Sequence, residues 1–189
     1  MPQRLEALYV LAVTAGLRQG ELLGLKWEDI DFERETLQVR RALLVSKKGD
    51  PIFGAPKTAK GKRSVKLTGK ALEALRGHRE LQVTERQRLD ELWQEHGLIF
   101  TTRIGTPLNR HNLVNRSFKP LLGRAHLPNI RFHNLRHTCA TLMLSGEIHP
   151  KVVQELLGHA NVTITLDTYS HVLPNMQGEA AGKMDSMLS

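Results

Sequence analysis

The chain has 189 residues, 40% of them hydrophobic and 24% charged, which is enough for one globular domain with a sizeable core. It has no apolar run near the roughly 20 residues that cross a bilayer and no signal-peptide pattern, and its single cysteine, Cys139, excludes an internal disulfide and favours a reducing cytoplasm. The net charge of +8 divides into +8 at residues 40–66, +7 at residues 96–146 and −7 elsewhere, which predicts a positive face for DNA or RNA.

The first half of the chain predicts two helices and one small antiparallel sheet. Apolar residues recur at helical spacing before Gly16, which ends the first helix, and Leu37 and Val39 alternate with polar neighbours as in a strand. The predicted elements are helices at residues 3–15 and 19–25, a turn and strand within residues 27–45, and further strands within residues 52–58 and 63–67 of the same sheet.

The second half predicts helices with recognisable ends. Thr68 is a candidate N-cap, Pro150 occupies a favoured first-turn position, and Gly158 stops the helix that Pro150 begins. The predicted helices lie at residues 69–96, 109–125, 133–145 and 150–157, with a short one running into Tyr169, a helical tail after Pro174 and an extended segment at residues 98–102. The fold class is therefore mainly α with a small antiparallel β-sheet (α+β).

Five residues capable of phosphoryl-transfer chemistry occur in order within short local patterns. They are Arg18 in T-A-G-L-R-Q-G-E-L, His133 and Arg136 in H-N-L-R-H, His159 after L-G, and Tyr169 in T-Y-S. Two arginines and two histidines can bind a phosphate, and a tyrosine hydroxyl can attack it. The set predicts transfer through a covalent protein intermediate without a metal or any other cofactor.

These motifs, in this order and at these spacings, resemble the catalytic domain of the tyrosine recombinases, the phage integrase family, from about residue 5 to about residue 175. The resemblance implies DNA cleavage and rejoining through a 3′-phosphotyrosyl intermediate. It implies two phosphate-binding arginines, a supporting acid, a histidine near the nucleophile and scissile phosphate that acts as a hydrogen-bonder or proton acceptor, a second histidine that donates a hydrogen bond to a phosphate oxygen, and a nucleophile. The matching residues are Arg18 and Arg136, Glu21, His133, His159 and Tyr169.

The resemblance also implies a lysine that protonates the leaving 5′-oxygen, in the turn between two strands. Lys57 in P-K-T matches this position, and Lys60 and Lys62 remain alternatives. The basic stretch at residues 40–66 predicts DNA-backbone contacts, with solvated loop lysines as the alternative. The residues expected to make those contacts are Arg40, Arg41, Lys47, Lys48, Lys60, Lys62 and Arg63.

Two further interpretations concern histidines. His137 is expected to lie on a different helix face from His133 and to be a hydrogen-bonded core residue. The nine histidines do not have metal-ligand spacings and there is only one cysteine, so no metal site is expected.

The resemblance implies a catalytic domain at residues 1–173 and a C-terminal helical tail at residues 174–189, without the family's N-terminal core-binding domain in this chain. The implied partners are double-stranded DNA and further copies in a tetramer assembled on DNA through the tail; a monomeric isolated domain is left open, and no membrane partner is expected. The source would be a phage or another mobile element, and the location the bacterial cytoplasm. The alternatives are a type IB topoisomerase-like enzyme and a non-catalytic DNA-binding module on the same fold.

Overall fold

The computed structural model describes residues 3–45, 51–56, 61–170, 181 and 184–188. The helices are α1 (Glu6–Thr14), α2 (Gln19–Leu23), α3 (Gly69–Leu89), α4 (Arg110–Leu113), α5 (Lys119–Arg124), α6 (Asn134–Ser145), α7 (Pro150–Leu157) and α8 (Val162–Tyr169). The strands are β1 (Ile30–Asp31), β2 (Thr36–Val39), β3 (Ala42–Val45), β4 (Pro51–Gly54) and β5 (Arg63–Lys66). This mainly helical architecture with small antiparallel sheets confirms the predicted fold class.

The strands form two antiparallel sheets instead of the single predicted sheet. One has the order β1-β2-β5, with Leu37 opposite Val65, and the other is the hairpin of β3 and β4. The hairpin packs closely on α2: a Cβ added to Gly24 would lie 2.9 Å from the backbone nitrogen of Leu43. A sequence pattern gives strand positions but not this long-range packing, which places β3 away from β5.

The long helix α3 begins where predicted and ends earlier. Thr68 Oγ1 accepts a hydrogen bond from the Ala71 amide, as an N-cap should. The predicted end near residue 96 was wrong, because Asp90 has a φ of 44° and begins a 3-10 turn. The Gln94 amide then donates to the Ile104 carbonyl, so the chain after α3 is held by a loop rather than by its own helix.

The core divides into a large cluster and a smaller one beside it. The large cluster joins α1, α2, the three-stranded sheet and the start of α3, and includes the fully buried Phe100 and Phe118. The smaller cluster joins α6, α7 and α8 and contains Ala140, Leu144, Val153, Leu157 and Tyr169. Tyr169 is therefore anchored by packing between three helices.

Other features outside the site follow the sequence closely. The helix α7 begins at Pro150 and ends at Gly158, whose φ of 67° is the left-handed conformation that glycine adopts readily. Cys139 is buried, and burial raises the pKa of its thiol to about 11, so it packs as an apolar group. Within the described ranges, no helix combines the length and apolar character needed to cross a bilayer.

Candidate active site

One buried carboxylate joins two arginines that are far apart in the sequence. The Arg18 amide and Nη1 donate to Glu21 at 3.0 Å and 2.8 Å, the contact that their three-residue spacing predicts. On the other side, Arg63 Nη2 donates to Glu21 Oε2 at 3.1 Å. Burial acts to raise the pKa of the Glu21 carboxyl, but Arg63 and Arg18 outweigh it and hold that pKa below its usual value. Glu21 is thus ionised and fixes both guanidiniums.

The second arginine of the site, Arg136, is held by backbone carbonyls. Its Nη1 donates to the Gly16 carbonyl and its Nη2 to the Leu157 carbonyl, both at 2.7 Å. Burial, reinforced by repulsion from Arg18 and Arg63, lowers its pKa to about 10, so it stays cationic at neutral pH. Two of its five N–H donors are used in this way, and the others can bind an anion.

Three guanidiniums and one carboxylate therefore lie close enough to influence one another. Arg18, Arg63 and Arg136 contribute +3 and Glu21 contributes −1, a local charge of +2. A partly buried charge of this size is costly unless an anion balances it. A phosphodiester that gains a second negative charge in a transition state has the matching charge.

The imidazole of His159 lies beside this cationic group. Its Nδ1 is 2.9 Å from the hydroxyl of the buried Thr165, and its backbone is held by hydrogen bonds to and from Gln154. Burial first, and then the charge of Arg136, lowers the pKa of His159 to about 4. The ring is therefore neutral near pH 7. Sequence reasoning missed Thr165 and Gln154, which orient it.

The candidate nucleophile, Tyr169, contacts a histidine other than the expected one. Its hydroxyl lies 2.8 Å from His137 Nδ1, and burial raises its pKa while Arg136 acts to lower it. The expectation that His133 and His137 lie on different faces was wrong: residues four apart share a helix face, and these two rings meet edge to face at 5.0 Å. His137 is hydrogen-bonded as predicted but is only partly buried.

His133 is more exposed than its neighbours in the site. It stands immediately before α6, and its pKa is lowered, mainly by burial and then by the nearby His137 and Arg136. Its side chain is well placed to meet a ligand arriving from solvent, and its predicted role near the phosphate stays a prediction.

Several predicted DNA contacts are already engaged with acidic residues. Arg41 pairs with Asp29 at 2.5 Å and with Glu28 at 2.8 Å, and Arg63 is turned inward to Glu21 and, at 2.6 Å, to the Leu156 carbonyl. These geometries favour a structural use of both side chains. Alternation could have indicated this for Arg63, which is two residues from the buried Val65 and thus on its side of the strand.

The remaining predicted residues differ in what can be said of them. Arg40 is exposed, 3.8 Å from Asp29, and Lys62 is exposed on the approach to β5. Both can reach a polyanion. The candidate acid Lys57 and the predicted contacts Lys47, Lys48 and Lys60 lie outside the described residues. Among the described residues, no three metal-ligating side chains converge.

Comparison with known proteins gives one family. The Phage integrase family profile matches residues 1–176. The chain is 38% identical to a tyrosine recombinase XerC-like protein of Caldanaerobacter subterraneus subsp. tengcongensis, over 97% of this chain and 50% of that protein. It is 32% identical to the ICEBs1 integrase of Bacillus subtilis, over 97% of this chain and 49% of that protein. The chain spans about half the length of these relatives.

Solved structures give the same fold. The Tn1549 transposon integrase in complex with transposon right end DNA matches with a TM-score of 0.78 and 24% identity, over 99% of this chain and 60% of that one. The XerH site-specific recombinase bound to a palindromic difH substrate, in a post-cleavage complex, matches with a TM-score of 0.65 and 26% identity, over 97% and 46%.

Proposed function

Because the chain belongs to the phage integrase family of tyrosine recombinases, we propose that it is the catalytic domain of a site-specific recombinase that cleaves and rejoins double-stranded DNA. The observation that carries the proposal is the local charge of +2 from Arg18, Arg63, Arg136 and Glu21, with the hydroxyl of Tyr169 hydrogen-bonded to His137 and within the electrostatic reach of Arg136. This is an anion-binding group next to a nucleophile.

The proposed reaction is a transesterification at phosphorus. The Tyr169 oxygen attacks the scissile phosphate, the bond from phosphorus to the 5′-oxygen breaks, and a 3′-phosphotyrosine and a free 5′-hydroxyl result. One phosphodiester replaces another, so the bond energy is retained and no nucleotide cofactor is needed. Rejoining is the same step in reverse, with a 5′-hydroxyl as nucleophile.

Phosphate binding in this proposal falls to Arg18, Arg136 and His159. The two guanidiniums are fixed in advance, one by Glu21 and the other by the carbonyls of Gly16 and Leu157, so little reorganisation is needed when charge develops. A Thr165 hydroxyl that donates to Nδ1 of His159 leaves the ring proton on Nε2, where it can donate to a phosphate oxygen.

The test uses a nicked suicide substrate that traps the covalent complex. Tyr169→Phe should retain the mobility shift of DNA and lose the adduct. The matched control is Tyr9→Phe, because Tyr9 is a partly buried tyrosine whose hydroxyl bonds to Ser117 at 2.7 Å, away from the site. An adduct formed by Tyr169→Phe, or mapped to Tyr9, would contradict the assignment; a shift without any adduct from the unaltered chain would favour the non-catalytic DNA-binding module.

We propose Lys57 as the general acid for the leaving 5′-oxygen. A positioned acid typically contributes about 10²–10⁴-fold, so Lys57→Ala should slow cleavage by about that factor. A 5′-phosphorothiolate substrate has a leaving group that needs no proton and should restore the rate. Rescue of Lys60→Ala or Lys62→Ala instead would move the role to that lysine.

For the assembly we propose a homotetramer on DNA that uses residues 174–189 to contact a neighbouring copy. Residues 184–188 are helical, with Met184, Met187 and Leu188 exposed, as a docking stripe requires. Leu173, Met176 and Ala180 of that stripe lie outside the described residues. Deleting residues 175–189 should abolish higher-order complexes on DNA and leave the melting of the domain cooperative; a lost melt would assign the tail to its own core.

The bacterial relatives support a further proposal, a cytoplasmic location with association to the nucleoid on DNA. Fractionation of cells that express the chain would test it, and recovery in the membrane fraction would contradict it.

A further inference from the structure

The hydrogen bond between Tyr169 and His137 has no part in the reaction as described so far. Tyr169 ends α8 and His137 lies on the first turns of α6, with 2.8 Å between the phenolic oxygen and Nδ1 and 5.7 Å between the ring centroids. Tyr169 is only 3% exposed. A buried hydroxyl aimed at one ring nitrogen is a specific geometry, beyond what packing alone requires.

The surroundings of His137 favour an acceptor role for its Nδ1. The charged and titratable groups that face the pair are Arg136, Cys139 and His133 on α6 or directly before it, and His159 from the loop after α7. Arg136 is cationic and the other three are neutral near pH 7, so none of these described groups offers the ring a negative charge. A neutral imidazole with its proton on Nε2 can accept from the phenol.

We propose that His137 is the group that holds the Tyr169 hydroxyl for attack and accepts its proton during cleavage. This rests on the proposed function. As the phenolic oxygen bonds to phosphorus and the 5′-oxygen departs, the phenolic proton passes to Nδ1 of His137, and the imidazolium returns it when the tyrosine leaves during rejoining. The developing charge is tolerated because phosphate enters the site at the same time and offsets the local +2.

The assignment separates two histidines that share one helix face. His137 serves the nucleophile, while His133, more exposed and in edge contact with it, is left to face the phosphate. The two would then act on different atoms of the same reaction.

The first arm of the experiment compares His137→Leu and His137→Gln with the unaltered chain in single-turnover adduct formation. Leu should lower the rate constant by about 10²–10⁴-fold, the usual contribution of a positioned base. Gln keeps a hydrogen-bond acceptor but cannot take the proton, so its rate constant should lie between those of the Leu variant and the unaltered chain. The matched control is His96→Leu, an exposed histidine on the loop after α3.

The second arm of the experiment measures strand joining in a reaction that does not need the Tyr169 hydroxyl. DNA bearing a 3′-(4-nitrophenyl) phosphate can be joined to a 5′-hydroxyl strand without any phenol from the protein, so it is tested in a Tyr169→Phe background. His137→Leu and His137→Gln should leave this joining rate unchanged. A joining rate that falls as much as the rate of adduct formation would show that His137 acts on the phosphate or stabilises the fold, and it would overturn the proposal.

The outcomes distinguish this proposal from the function on which it rests. An adduct that His137→Leu forms at the unaltered rate overturns the role of His137 alone. Absence of an adduct from the unaltered chain overturns the proposed function, and the role of His137 with it. If the Leu variant does not fold, the Gln variant carries both arms: slowed adduct formation with unchanged joining supports the role of His137, and equal slowing of both reactions overturns it.

Discussion

At the scale of single residues, the carboxylate of Glu21 is the group on which the site depends most. It is 1% exposed and is the acid through which Arg18 and Arg63 are linked. Removing one partner of a buried pair leaves the other charges uncompensated, which is worse than having no pair at all. A site with a local charge of +2 would rise to +3 without it.

We therefore expect Glu21→Gln to reduce the free energy of unfolding by about 3–5 kcal/mol, measured by urea denaturation. The control is Glu28→Gln, which breaks the pair with Arg41 at a carboxylate that is 59% exposed, where about 0–1 kcal/mol is usual. Equal small losses from the two variants would show that the Arg18 and Arg63 charges are solvated after all.

His159 predicts a pH dependence of stability. Its pKa falls from the ordinary 6.5 to about 4 on folding, first through burial and then through Arg136. Between those pH values the unfolded chain binds the extra proton, so the free energy of unfolding rises with pH; below about 4 the destabilisation is complete and above 6.5 it vanishes.

His159→Gln should flatten the rise in melting temperature with pH over that window, while His111→Gln, at an exposed histidine on α4, should leave it unchanged. Some slope should remain in the first variant because the pKa of His133 is also lowered. An unaltered slope in His159→Gln would mean that its imidazole titrates normally in the folded chain.

At the scale of the elements, the turn at Gly158 connects helix α7 to the site. Its φ of 67° costs a residue with a Cβ about 1–2 kcal/mol, and the next residue is His159. Gly158→Ala should lower stability by about that amount and also slow adduct formation, because His159 would be displaced. Urea denaturation and the suicide substrate measure the two effects.

The matched control is Gly77→Ala on α3. Gly77 is helical, exposed and without any atom within 4 Å of an added Cβ, so alanine should stabilise the chain by about 0.5–1 kcal/mol. A gain in stability from Gly158→Ala like the one expected from Gly77→Ala would show that the turn relaxes without strain.

Capping residues explain why some element boundaries could be predicted and others could not. Thr68 acts through a hydrogen bond to a neighbour in sequence, and Pro150 and Gly158 act through their own backbone conformations, so the sequence alone indicates their effects. The end of α3 could not be predicted in this way. The helix ends at the φ of 44° of Asp90, and the chain that follows is held by a hydrogen bond from the Gln94 amide to the Ile104 carbonyl of a different segment, although the helical sequence pattern continues beyond Asp90.

The site shows the same division between local and distant contacts. The contact of Arg18 with Glu21 follows from spacing alone, and four local patterns predicted the five residues Arg18, His133, Arg136, His159 and Tyr169. Arg63 reaches Glu21 across 42 residues and His137 reaches Tyr169 across 32. Such pairs are set by how sheets and helices pack, which no local pattern encodes. Two local patterns did predict orientation. Side chains alternate along a strand, so Arg63 lies on the same side as the buried Val65, and residues four apart share a helix face, so His137 lies on the face of His133.

At the scale of the whole molecule, the segregated charge predicts how binding responds to salt. The stretch at residues 40–66 carries a net charge of +8, and within the part of it that the structure describes Lys62 is exposed. Each lost phosphate contact should flatten the plot of log affinity against log salt by about 0.9. The substitutions to glutamine are made together at Lys47, Lys48, Lys60 and Lys62.

The matched control removes four exposed cations outside both basic stretches. These are Arg34, Lys70, Arg86 and Arg88. Net charge falls equally in the two variants, so only local contacts distinguish them, and the control should keep its slope in fluorescence titrations against duplex DNA. Equal slopes in the two variants would assign the lysines of residues 40–66 to a solvated loop.

The guanidinium of Arg136 joins parts of the chain that are far apart in the order of synthesis. Its bond to the Gly16 carbonyl spans 120 residues, and its bond to the Leu157 carbonyl reaches the turn before His159. As the chain leaves the ribosome, Arg18 is available long before Arg136 and Tyr169 exist. Contacts of such long range form late in folding. Under the proposed function, a nascent or prematurely terminated chain that ends before Arg136 would lack both the assembled phosphate-binding group and the Tyr169 nucleophile, and so could not cleave DNA.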